Sequence, residues 1–274
     1  MTRASRPLPN FEAPPVSEVV LGVQFESLKA FRIVHIGMLW QEFREKFPLT
    51  EEHAPLEPVI ERFGINHAVG KVSLQILDAP PIPRCWFLNA AGADLIQIQS
   101  DRFLRNWRKV EEDSEYPRYE TLRSAFEQEF GRFAAFLHRE HLGEVIFNQC
   151  EITYVNLIEC AHSDVDEALT VFRQSQIEQF FQTPEDVRGS IRYLIPDEAG
   201  NHIGRLHIAV DPIYRLKDNQ EMLRLSLTAR GKPDGEGLEG ALRFLNRGRE
   251  WIVSGFASIT TKEMHTAWRR TDDR

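Results

Sequence analysis

Between Ser17 and Glu26 the chain alternates. The odd positions Val19, Leu21, Val23 and Phe25 are apolar, while the even positions are Glu18, Val20, Gly22, Gln24 and Glu26. Successive side chains on a strand point to opposite faces. The pattern therefore predicts a strand with one face in a core and the other open. A one-residue slip would bury both acids, so the register is specified. Pro14 and Pro15 hold the approach extended. Glu18 and Glu26 stand roughly 27 Å apart along such a strand, which excludes them as a catalytic pair.

The pattern returns later. SEVVLGVQFE at 17–26 matches CEITYVNLIE at 150–159, with Glu18 on Glu151, Glu26 on Glu159, Val19 on Ile152, Leu21 on Tyr154 and Phe25 on Ile158. Ile36, Leu39 and Phe47 then align with Leu169, Phe172 and Phe180, each set spaced as one helical stripe. Thr50 and Glu52 align with Thr183 and Glu185, just past each helix. GKVSLQI at 70–76 resembles GRLHIAV at 204–210, and DLIQIQS at 94–100 resembles EMLRLSL at 221–227. Each half ends on a long amphipathic pattern, about Tyr119 to His141 and Gly237 to Ile259, with Asp234 as cap of the second. Arg84–Ala90 predicts a strand turning through Ala91-Gly92, and Asp197–Asn201 predicts the tip of a second hairpin.

These elements predict an α+β protein built by internal duplication of a β-α-β-β-β-α unit. Residues 1–143 form the first copy, with extra strands, and 144–274 the second, in one compact body. Antiparallel strands would carry the long helices on one face. If a pseudo-two-fold relates the halves, the connectivity resembles the saddle of the TATA-binding protein; that is a likeness of topology and implies nothing about DNA.

Composition narrows the function classes. The 274 residues are 42% hydrophobic and 27% charged, an ordinary globular balance. No run approaches the roughly 18 apolar residues of a membrane span, and MTRASRPLPNF lacks the apolar segment of a secretory signal. Cys85, Cys150 and Cys160 are few, odd in number and set among apolar residues, so reduced buried thiols in a cytoplasmic protein are expected. A net charge of −8 disfavours nonspecific nucleic-acid binding.

Parity lists the open face: Glu18, Gln24, Glu26, Lys71, Ser73, Gln75, Gln97, Gln99, Glu151, Arg205, His207, Arg224 and Ser226. A solvated sheet would carry this mixture. So would a docking surface, where charges of both signs set specificity. DRFLRNWRK at 101–109 puts Phe103, Arg105, Trp107 and Lys109 on one face and Arg102, Leu104, Asn106 and Arg108 on the other. Basic residues interleaved with aromatics suit single-stranded nucleic acid. The plainer alternative places Phe103 and Trp107 in the core, with the arginines paired to acids. His138 and His141 share a helix end without an evident third metal ligand. No hydrolase elbow, phosphate loop, zinc-protease pair or dinucleotide fingerprint occurs, and no motif calls for a cofactor.

The run FEAPPVSEVVLGVQF at 11–25, with Pro14, Pro15, Glu18, Gly22 and Phe25, resembles the N-terminal signature of the sporadically distributed family of uncharacterised bacterial and archaeal proteins. Trp40, Phe43 and Asn106-Trp107 add to the likeness, which spans the chain. It carries over no functional residue. Patchy occurrence implies an accessory gene: an antitoxin, an immunity factor or a defence accessory.

The expectation is therefore a non-enzymatic interaction protein that binds a protein or peptide partner on the open sheet face, with self-association left open. The alternatives are a small-molecule binder or enzyme with a pocket between sheet and helices, and a nucleic-acid binder through Arg102, Arg105, Trp107 and Arg108.

Overall fold

A computed structural model describes residues 7–64, 82–111, 114–172 and 184–271. In chain order the main elements are β1 (Val16–Phe25), α1 (Ile33–Phe43), β2 (Leu49–His53), β3 (Arg84–Leu88), β4 (Asp94–Gln99), β5 (Arg102–Arg108) and α2 (Tyr119–Arg139). Then follow β6 (Phe147–Glu159), α3 (Val165–Ala168), β7 (Gly189–Pro196), β8 (His202–Tyr214), β9 (Glu221–Gly231), α4 (Gly237–Ile259) and α5 (Lys262–Ala267). The strands make one nine-stranded antiparallel sheet in the order β2-β3-β4-β5-β1-β6-β9-β8-β7.

The alternation in β1 does what its period requires. Val19, Leu21, Val23 and Phe25 are at most 1% exposed. Phe25 and Phe103 meet Phe133 of α2 at ring-centroid distances of 6.0 and 5.4 Å. Phe126 and Phe130 of α2 also pack on Phe103. Each such ring contributes roughly 1.5–3 kcal/mol by leaving water. Over the other half lies α4. Its Gly248 permits close approach to the sheet: a Cβ there would stand 2.6 Å from Ile152 Cγ2. Both long helices thus cover the same face.

At the centre β1 pairs with β6, Val20 opposite Thr153, with Val19 opposite Tyr154 and Leu21 opposite Ile152. From β1 outward the strands run β5, β4, β3, β2; from β6 outward they run β9, β8, β7.

Several expectations are corrected. The helical stripe through Leu169 and Phe172 does not form. His162–Asp164 and Thr170–Phe172 are short 3-10 turns flanking α3, and Leu169 is extended in a bridge to Thr260. Docking on the end of α4 holds it there, with the Thr170 hydroxyl donating to Ile259 O; tertiary contact overrides local period. Phe180, Thr183 and the strand expected at 70–76 lie outside the described residues. In the first half α1 stops at Phe43. Phe47 is buried beyond the helix, its carbonyl accepting the Trp40 indole N–H at 3.0 Å. Thr50 and Glu52 do lie past the helix, in strand β2. Asp234 does not cap α4: its carboxylate takes Arg247 at 2.9 Å. Cys85 and Cys150 are buried, but Cys160 is partly exposed. The expected hairpins are present, with Gly92 and Gly200 at φ of 70° and 89° and Asn201 bonded to Asp197 at the second tip.

Candidate functional site on the polar sheet face

The face opposite the helices is polar but not bare. The segment after β2 reads Ala54-Pro55-Leu56-Glu57-Pro58-Val59-Ile60-Glu61-Arg62. Its prolines keep Ala54 and Glu57 extended and deny it helix. It crosses the sheet, and β4, β5, β1, β6 and β8 hold it in turn. Gln99 of β4 pairs with both backbone groups of Leu56, accepting from its N–H and donating to its carbonyl, each at 2.9 Å. Arg102 of β5 donates to Glu57 O at 3.0 Å. Gln24 of β1 accepts from Val59 N–H at 3.0 Å, and Gln149 of β6 accepts from Glu61 N–H at 3.1 Å. Arg205 of β8 donates to Arg62 O at 2.6 Å.

An extended backbone offers donors and acceptors that must be met when water leaves. Here side-chain amides and guanidinium groups from the sheet meet them. Recognition by backbone alone is blind to sequence, and the side chain of Glu61 supplies what is specific. Its carboxylate is buried between Arg205 and His207, with His207 Nε2 at 2.6 Å. Burial pushes this carboxyl up, but the hydrogen bonds from His207 and Arg205 and their charges outweigh it. The net effect holds it below the usual glutamate range. Phe63 adds a ring beneath the Arg205 guanidinium at 4.7 Å. The exposed side chains of Val59 and Ile60 contribute little to the hold.

The binding energy is close to balance. Six backbone groups gain bonds worth about 1 kcal/mol each, and the two charged bonds at Glu61 about 1.5–3 kcal/mol each. Ordering residues 56–62 costs about 1–2 kcal/mol per residue. The net is within a few kcal/mol of zero, so the strap is held only marginally.

Of the sequence-derived candidates, Gln24, Gln99, Arg102, Arg205 and His207 converge on this strap. Glu18 does not: it accepts from Asn106 Nδ2 at 2.6 Å, and Asn106 accepts from Gln97, which accepts from Arg84. Glu151 is paired with Arg230. Arg224 pairs with Asp211 at 3.0 Å, far along β9, and Glu26 is exposed at the end of β1. Lys71, Ser73 and Gln75 lie outside the described residues.

In the basic-aromatic segment the structure matches the plainer alternative, with Phe103 and Trp107 in the core. Arg105 and Trp107 are each 5% exposed on the helix side, so neither can stack a base or reach a phosphate. Arg105 instead meets Asp94 at 2.6 Å and the buried Glu129 of α2 at 3.0 Å, and Lys46 joins Glu129 at 2.7 Å. Arg108 donates to Gly92 O at 2.6 Å.

Glu61, Gln149 and the strap backbone escaped the sequence reading. Proline-spaced residues without helical or alternating period were the available signal, together with three glutamines of one parity. Among the described residues no group of His, Cys, Asp and Glu could hold a metal, and no helix is long and apolar enough to cross a membrane. No protein-family model, curated protein or solved structure matches the chain.

Proposed function

We propose that this protein binds polypeptide: its polar sheet face captures an extended, acid-bearing segment, and its own residues 54–62 occupy that place until a partner displaces them. The observation that carries the reading is the two-point pairing of the Gln99 amide with the Leu56 backbone. It acts as a strand edge would, without requiring any particular side chain. Glu61 in the Arg205–His207 clasp defines the one side-chain requirement, a carboxylate. The antitoxin, immunity or defence-accessory setting implied by the sequence resemblance belongs to the same proposal.

The duplication is part of this reading. With Glu18 aligned to Glu151 and Val19 to Ile152, an approximate two-fold would pass through the Val20–Thr153 pair. Under it the Val19–Tyr154 and Leu21–Ile152 pairs exchange, which the register supports. The matching outward strand orders support it too. A saddle-like ancestor is the corresponding inference for the fold.

The test uses a fluorescent peptide of residues 54–64 added to the full chain and to its Glu61→Ala variant. Tethering presents the strap at about millimolar effective concentration, so the unaltered chain should bind the peptide weakly. The variant should bind it at least tenfold more tightly, and a peptide carrying the same Glu61→Ala change should fail. Absence of binding to the variant overturns the reading.

A further inference from the structure

On the helix side, away from the strap, a cavity of about 430 Å³ opens between the start of α2, the middle of α4, the edge of β6 and the segment leading into β1. Its volume falls in the range of small-molecule sites, roughly 300–1,000 Å³. Phe11, Ile252, Val253 and Phe256 supply apolar wall. The polar groups are three phenols, two arginines and the amides of Asn10 and Asn156, with Glu120 as the lining acid.

Counting protons shows what the cavity offers. The Tyr116 and Tyr154 oxygens lie 2.8 Å apart. Burial pushes the Tyr116 phenol up to about 12 and that of Tyr154 well up also, so both are protonated at neutral pH. One proton bridges the pair; the other has no acceptor among the described residues. Tyr119 is committed, donating to Asn246 Oδ1 at 2.7 Å. Arg249 lies over the Tyr119 ring at 5.0 Å, and one of its terminal nitrogens meets Glu120 at 3.1 Å. Its Nε–H is buried and meets no acceptor among the described residues, while the guanidinium end stays partly accessible beside Glu120. Two donors in a partly apolar enclosure therefore lack acceptors, where an unmet polar group is costly.

The enclosure is held in an unfavourable backbone state. Arg118, which precedes α2, has φ 67° and ψ 155°, a region that non-glycine residues rarely enter. That conformation lets its guanidinium donate to Phe11 O at 3.0 Å, fixing the Phe11 segment as one wall. Strain of this kind gathers at ligand clamps.

The geometry points to this cavity as a binding site for a small aryl carboxylate, its ring against the wall that Phe11 and Phe256 form by packing edge to face at 5.5 Å, and its carboxylate accepting from the free phenol and from the accessible end of the Arg249 guanidinium. A neutral amide would waste the charge of Arg249, and a cation would face two donors. This site has no part in strap capture and stands or falls separately from it.

Calorimetric titration of the full chain with 2-naphthoate, and with neutral 2-naphthamide as comparison, tests the assignment. The acid should bind, and the amide at least tenfold more weakly. Arg249→Gln should cost tenfold or more, and Tyr154→Phe a few-fold. The exposed Glu120 shares the guanidinium with the ligand, so Glu120→Gln should tighten naphthoate several-fold without challenging the fold. Equal affinity for acid and amide, no binding of the acid at millimolar concentration, or a Glu120→Gln titration superimposable on the original overturns the proposal.

Discussion

The carboxamide of Gln99 bonds the N–H and the carbonyl of Leu56, both at 2.9 Å. A leucine at position 99 would keep the bulk and lose both bonds. At about 1 kcal/mol each, that predicts amide exchange in residues 54–62 faster by about ten- to thirtyfold. The denaturant midpoint should move much less, because the strap packs little apolar surface. Hydrogen exchange read by mass spectrometry separates the two effects.

Glu61 makes the strap pH-dependent, and the sign follows from its depressed pKa. The released carboxyl titrates in the ordinary range and the clasped one lower. The stabilisation is thus complete above the ordinary glutamate value and is lost as pH falls from there through the clasped value. Exchange in 54–62 should rise over that acidic window in the native chain. In Glu61→Gln it should already be fast and should not show this added acid-dependent rise.

Glu129 holds Arg105 and Lys46 from inside the protein. Removing one member of a buried pair strands the other, at a cost of about 3–5 kcal/mol. Glu129→Leu should lower stability by that amount in a chemical denaturation curve. Combining it with Arg105→Met should recover much of the loss, since both charges are then gone.

Gly231 closes β9 against its neighbours. A Cβ there would press on Ile203 O and stand 2.5 Å from Phe244 Cε2. Both are packed, one of them backbone, so Gly231→Ala should destabilise by about 1–3 kcal/mol. Trimming the ring with Phe244→Leu in the same chain would relieve part of that clash. Paired denaturation curves would show the recovery as a non-additive sum.

Burial pushes the Cys85 thiol up to about 11 and the Cys150 thiol further, and burial with nearby acids pushes Cys160 to about 11. Reaction requires thiolate. At pH 8 the folded chain should therefore resist iodoacetamide, with Cys160 labelled first because it is partly exposed. Unfolding should expose all three to rapid labelling, countable by intact mass.

The central strands and both long helices were legible in the chain, because their periods are written in adjacent residues. Val19, Leu21, Val23 and Phe25 could only face a core, and the three-and-four spacing placed α4 from near Gly237 to about Ile259 or further, where it runs from Gly237 to Ile259. Parity, being local, also picked out much of the polar face, Gln24, Gln99, Arg205 and His207 among it. Tertiary structure alone decided what that face does. No local period shows that Gln99, Gln24 and Gln149 would meet the backbone of residues 56–61, or that Glu61 would reach Arg205 and His207 across more than a hundred residues of chain. The same holds for Leu169, pulled from an expected helix into a bridge with Thr260. Hydrophobic period is a property of neighbours in sequence, whereas hydrogen-bond partners are chosen by which polar groups packing leaves within about 3 Å of each other.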